Sequence, residues 1–135
     1  MKQDELFRLH PERKHPTLKP KAKKPVVKEA EILASVLKAL KLYPNVFFFT
    51  RMNSGAYAVG EGKARRYVRF GFPGCPDIIG MMRGGRMLCI EVKSPTGKLS
   101  AVQERFLIRI RQNGGVAFVA RSVDELAKYL PVGNA

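Results

Sequence analysis

Apolar residues recur at two different periods along this chain. Ile32, Leu33, Val36, Leu37 and Leu40 fall three or four apart, which predicts an amphipathic helix over residues 28–42, stopped near Pro44. Val46-Phe47-Phe48-Phe49-Thr50-Arg51 follows, apolar on both faces, and predicts an interior strand. Two more apolar runs, one from Asp77 to Met82 and one from Met87 to Ile90, flank Gly84-Gly85, a two-residue hairpin signal. Ser100-Ala101-Val102-Gln103 reads as a capping box and opens a helix that runs to Asn113, before Gly114-Gly115. A last buried strand covers residues 116–120, and a last helix, capped by Ser122, covers residues 122–130. The predicted order is helix, strand, strand, strand, helix, strand, helix, an α/β fold.

Two stretches escape this pattern. Residues 1–27 carry Pro11, Pro16, Pro20 and Pro25 and little apolar periodicity, so the folded domain is expected to span residues 28–135. A mobile basic arm that follows phosphates and a tail of no consequence both fit that composition. Residues 53–76 read as a long loop, with Lys63, Arg65, Arg66 and Arg69 among Tyr57, Tyr67, Phe70 and Phe72. Long loops in compact domains are usually functional or disordered, and this one suggests a substrate-engaging segment. Its aromatics suit base stacking and its cations suit phosphates, although a small satellite core would use the same aromatics.

Charge narrows the partner. The 135 residues hold 25 Lys and Arg against 11 Asp and Glu, a net charge of +14, the footprint of a polyanion partner. No long apolar segment or signal-peptide pattern supports membrane insertion or secretion. Cys75 and Cys89 lack the spacing of zinc ligands; Cys89 reads as core, Cys75 as a small packing residue or a redox-sensitive thiol beside Asp77, and His10 and His15 as surface residues.

The candidate chemistry sits on the predicted hairpin. Glu91-Val92-Lys93 closes its second run, 14 residues after Asp77 opens the first. Alternate side chains of a strand share a face, so Glu91 and Lys93 point together and Val92 points away. Paired as written, the hairpin brings Asp77 close to Glu91. Two carboxylates and a lysine on a very basic protein suit metal-dependent phosphodiester hydrolysis, since Mg²⁺ takes one or two carboxylates and keeps several waters. At about 100° per residue, Glu29 falls in the apolar stripe of the first helix and Glu31 on the opposite face. An inward carboxylate at a helix start suits a metal site, and a first-turn glutamate also favours the helix dipole. Gln103 serves the capping box and shares the inward stripe of Phe106, Leu107 and Ile110, whereas Ile108 faces outward.

Together these pieces resemble the virus-type replication-repair nuclease (VRR-Nuc) family of the PD-(D/E)XK superfamily. The resemblance runs over residues 29–130. It rests on a glutamate opening the first helix, Arg51-Met52-Asn53-Ser54-Gly55, Gly74-Cys75-Pro76-Asp77, Glu91-Val92-Lys93 and Leu99-Ser100-Ala101-Val102-Gln103. It implies an αβββαβ core with a mixed central sheet flanked by helices, and a Mg²⁺- or Mn²⁺-dependent DNA endonuclease. Asp77 and Glu91 would hold the metal with the Val92 carbonyl, Lys93 would position the attacking water, and Glu29 and Gln103 would complete the site. Arg51 and Asn53 would contact the scissile or an adjacent phosphate, with Lys63, Arg65, Arg66, Arg69 and Lys98 binding DNA beyond it. Branched or flapped DNA such as a four-way junction and a homodimer follow from the same resemblance, and a DNA enzyme is expected to work in a reducing cytoplasm. Two rival readings remain: a non-catalytic nucleic-acid-binding module on this fold, and a sequence-reading restriction-type endonuclease.

Overall fold

A computed structural model describes residues 27–53 and 55–131. The expected arm, apart from Val27, lies outside the described residues. Helix α1 (Glu29–Leu40) leads into strand β1 (Val46–Arg51), followed by β2 (Gly55–Val59), a 3₁₀ turn (Gly62–Ala64) and β3 (Arg66–Phe70). Strands β4 (Ile78–Met82) and β5 (Met87–Val92), helix α2 (Ala101–Gln112), strand β6 (Val116–Ala120) and helix α3 (Glu125–Tyr129) complete the chain.

The main sheet has the order β1-β4-β5-β6. β1, β4 and β5 are antiparallel neighbours, and β6 joins β5 in parallel after crossing over through α2, so the sheet is mixed. The alternation of β5 assigns its two faces. Leu88, Ile90 and Val92 point into a core with Ile32, Leu33, Val36 and Leu40 of α1 and Leu126 of α3. Cys89 points the other way, into a smaller cluster with Leu107 of α2 and Ala117. Fully burying each such aliphatic side chain is worth about 1.5–3 kcal/mol, so helices are held on both faces. Glu91 is in phase with Cys89 and therefore faces α2. That phase places the chemistry.

Three expectations need correction. β1 is an edge strand rather than an interior one, with Phe47 61% and Phe48 48% exposed. Its register slips between Val46 and Phe48, and such a bulge lets two successive side chains face outward. Residues 53–76 are not one loop, because β2 and β3 pair as an antiparallel hairpin separate from the main sheet. The last helix starts at Glu125 with no side-chain cap, so Ser122 does not cap it.

The β4–β5 turn also differs in length. Met82 N–H donates to the Arg86 carbonyl at 2.8 Å, so the loop holds Arg83, Gly84 and Gly85 instead of two residues. Both glycines have φ +97, the left-handed region where a side chain is strained.

Candidate active site

Asp77 stands one residue before β4, and Ile78 pairs with Ile90. This register puts Asp77 opposite Glu91; the two residues are close, as expected, but the facing pair depends on the three-residue loop, since a two-residue turn would set Asp77 opposite Val92. The approach is fixed by hydrogen bonds at both ends of Asp77. Its Oδ2 accepts the Val92 N–H at 2.8 Å, and its carbonyl accepts the Met52 N–H at 2.7 Å. The preceding turn is held by Gly74 at φ +80, where a Cβ would meet the Val102 carbonyl at 2.7 Å. Only glycine lets this turn rest on the first turn of α2.

Glu91 is 2% exposed, the only buried charged residue among those described. Its Oε1 accepts from Gln103 Nε2 at 3.0 Å and lies 3.5 Å from Lys93 Nζ. Gln103 reaches it from α2 while completing the capping box. Ser100 Oγ accepts the Gln103 N–H at 3.2 Å, and Gln103 Oε1 accepts the Ser100 N–H at 3.0 Å. With its oxygen committed to the cap, the Gln103 amide can offer Glu91 only its N–H₂. Both readings of Gln103 therefore hold at once.

Burial pushes the Glu91 carboxyl up to about 8, the neighbouring Asp77 carboxylate adds to the shift, and Lys93 opposes it. Burial and the second carboxylate outweigh the lysine, although the Lys93 ammonium is within ion-pair distance. Glu91 Oε2 is buried with no hydrogen-bond partner among the described residues. A hard cation between the carboxylates would supply that partner and relieve their repulsion. No group of three or more His, Cys, Asp or Glu gathers among the described residues. Two carboxylates suffice for an ion that retains several waters.

Other expected site residues are placed less centrally. Arg51 ends β1 opposite Ile78, next to Asp77, and is exposed, as are Asn53 and Lys98. Lys63, Arg65, Arg66 and Arg69 are exposed on or beside the β2–β3 hairpin, whose root lies between Arg51 and the Asp77 turn. Glu29 was expected to point inward and is instead exposed. Ile32 is the first buried residue of α1, so the first turn projects past the packed core. Cys75 and Cys89 are buried free thiols; burial raises both, Cys89 to about 11, consistent with packing residues.

Arg121 was missed from the sequence. Its Nη1 donates to the carbonyls of Ser94 at 2.7 Å and Gly97 at 2.6 Å, tying down the loop between Lys93 and Ser100. Glu125 Oε2 accepts the Arg121 N–H at 2.7 Å and anchors this clamp. The turn-forming Ser94-Pro95-Thr96-Gly97 was the available signal for a loop needing support, but nothing pointed to which cation supplies it.

A mixed sheet between helices, with an acidic pair and a lysine where β4 meets β5, is a PD-(D/E)XK-type nuclease architecture. The VRR-NUC domain model matches residues 29–124, and the chain belongs to that family. It is thus a nuclease-family protein, in the hydrolase class, and nucleases of this type typically use divalent metals. No curated protein matches the sequence. No helix among the described residues is long and apolar enough to cross a membrane.

Proposed function

We propose that this chain is a Mg²⁺- or Mn²⁺-dependent DNA endonuclease selective for branched or flapped DNA. The carrying observation is the buried Glu91 carboxylate opposite Asp77, with Oε2 unpartnered among the described residues. Asp77, Glu91 and the Val92 carbonyl are the groups that would hold the cation. When bound, it supplies Lewis-acid neutralisation of phosphate charge and acidifies water. Lys93 Nζ, held beside Glu91, positions the attacking water and meets developing negative charge. Gln103 fixes Glu91 Oε1 by its donated N–H, leaving Oε2 for the cation. Arg51 and Asn53, adjoining Asp77, are assigned to the scissile or a neighbouring phosphate, and Lys98 to DNA farther along. Glu29 is assigned an auxiliary role at the helix entrance.

Homodimerisation completes this reading. The outward face of α2 leaves Ile108 40% exposed, an apolar residue that a second copy would cover. Two sites related by a two-fold axis match a junction whose strands are nearly symmetric. Cleavage of linear duplex, flap, splayed and four-way substrates should be measured with Mg²⁺, Mn²⁺ and EDTA. Cutting of branched DNA should outrun duplex and stop in EDTA; robust cutting in EDTA removes the metal mechanism. Light scattering should report about twice the 15.1 kDa chain mass, and a monomer that cuts duplex and junction equally removes the junction reading.

A further inference from the structure

The β2–β3 hairpin has two unlike faces, and its pairing register separates them. Tyr67 pairs with Ala58 and Arg69 with Ala56, so these four share one face, while Tyr57 and Val68 share the other. Val59 and Val68 on the second face are half-buried, whereas Ala56, Ala58, Tyr67 and Arg69 are all exposed. Arg65 is two residues before Tyr67, and its guanidinium lies 5.7 Å from the Tyr67 ring centre. Arg65, Tyr67 and Arg69 thus form a cation–aromatic–cation row along one face. The ring is 67% exposed, and the two alanines opposite leave it without a bulky cross-strand neighbour. Glu61 is the only acid among residues 55–71, against Lys63, Arg65, Arg66 and Arg69.

A lone two-stranded ribbon is marginal in water, and leaving a ring and flanking cations exposed suits a planar anionic partner. Duplex DNA offers phosphates to such a row but keeps its bases stacked inside. An unpaired nucleotide offers both a base face and phosphates. We propose that the Arg65–Tyr67–Arg69 face receives an unpaired nucleotide, its base stacked on Tyr67 and its flanking phosphates on the two arginines. The inference builds on the nuclease reading for the identity of the substrate, and it makes this hairpin the element that detects unpaired DNA beside the cleavage site.

Binding of fluorescent single-stranded and duplex oligonucleotides to the full chain in EDTA tests this without cleavage. Tyr67→Ala should weaken single-strand binding about tenfold, the loss of one base–aromatic stack. It should change duplex affinity less than about twofold, because the phosphate contacts remain. Tyr67→Phe should retain single-strand binding, and Tyr57→Ala, on the opposite face, should cost less than Tyr67→Ala. A 2-aminopurine base in the single strand should be quenched by the wild type and Tyr67→Phe but not by Tyr67→Ala. Equal losses on both DNAs, or no loss with Tyr67→Ala, would overturn the proposal. A change of light-scattering mass with Tyr67→Ala would also overturn it, assigning the face to a second copy. If the wild type shows this selectivity yet cuts nothing, the nuclease reading fails and this one stands.

Discussion

The acidic pair and the β2–β3 hairpin are neighbours in the chain and opposites in construction. Asp77 and Glu91 are fixed by the Val92 N–H, the Gln103 amide and the register of a sheet covered by helices on both faces. The hairpin pairs mainly with itself and exposes most of its side chains. Chemistry needs groups held in one geometry, whereas recognition of a flexible polyanion needs reach and charge. This division makes a sharp demand: changes at the pair should alter rate without binding, and changes on the hairpin should do the reverse.

The largest effect should come from the carboxylates. Asp77→Asn or Glu91→Gln should lower metal-dependent cleavage by at least about 100- to 1,000-fold, comparable with removing a main transition-state contact. DNA affinity in EDTA should hardly change. Adding Lys93→Ala to either variant should cost little more, since residues acting as a unit are non-additive. Cleavage surviving Asp77→Asn would break the comparison at its catalytic end.

Glu91 also gives the metal-free protein a pH signature. Its carboxyl lies near 8 in the folded chain against an ordinary value of 4.5, so the folded state holds the proton more tightly. The stability gained is complete below about pH 4.5 and lost as pH rises through about 8. Melting of the metal-free protein should therefore decline over that window, and Glu91→Gln should flatten the decline. Mg²⁺ should restore more stability at pH 8 than at pH 6 and release protons on binding, measurable by calorimetry in two buffers. Equal stabilisation at both pH values would detach Glu91 from the cation.

Next in size is the hairpin. Replacing Lys63, Arg65, Arg66 and Arg69 together by Ala should flatten the salt dependence of DNA binding by up to about 0.9 per lost phosphate contact. Single-turnover cleavage at saturating protein should persist. An unchanged salt slope would assign these cations no phosphates, and a lost single-turnover rate would make the hairpin part of the catalytic machinery.

How these regions could be read from sequence differs for the same physical reason. The closeness of Asp77 to Glu91 was legible from two apolar runs on either side of a glycine turn, but their direct opposition was not: a Gly84-Gly85 loop would pair Ile78 with Glu91, whereas the extra loop residue pairs Ile78 with Ile90 and sets Asp77 opposite Glu91. Gln103 was visible twice, as a cap and as part of an inward stripe. The hairpin was not visible as strands, because its five-residue runs, Gly55–Val59 and Arg66–Phe70, mix alanine, glycine and arginine and bury no continuous face. β1 misled because apolar residues on an edge strand with a bulge look like those of an interior one. Arg121 acts through backbone carbonyls, which carry no sequence signature.

Gln103 permits a finer cut, because its two roles need different atoms. Gln103→Glu keeps an oxygen for the Ser100 N–H and preserves the capping box, yet removes the donor to Glu91 and sets a third acid there. Helix stability should hold, while cleavage should fall by about tenfold, the scale of one lost positioning contact. Gln103→Ala should cost about 1 kcal/mol of stability as well, the usual loss at a helix cap. If Gln103→Glu cuts normally, the amide serves the helix alone.

The smallest expected effect concerns the two glutamates of α1. Both Glu29 and Glu31 are exposed, in a first turn where a carboxylate favours the helix dipole by about 0.3–1 kcal/mol. Neutralising either should therefore change melting slightly and to a similar extent. Activity should separate them. Glu29 lies in phase with Ile32 and Leu33, although its own turn projects past the core, whereas Glu31 shares the face of Ser35 and Lys38. Glu29→Gln should lower metal-dependent cleavage by a few-fold at most, since an exposed side chain makes only a partial contribution next to the buried pair. Glu31→Gln should leave cleavage unchanged. The comparison should be made at subsaturating Mg²⁺, where a weakened hold on the metal region shows most clearly and is recovered by adding more cation. Equal silence of the two variants would confine the metal site to the sheet. A larger loss from Glu31→Gln would show that the helix presents its other face to the DNA.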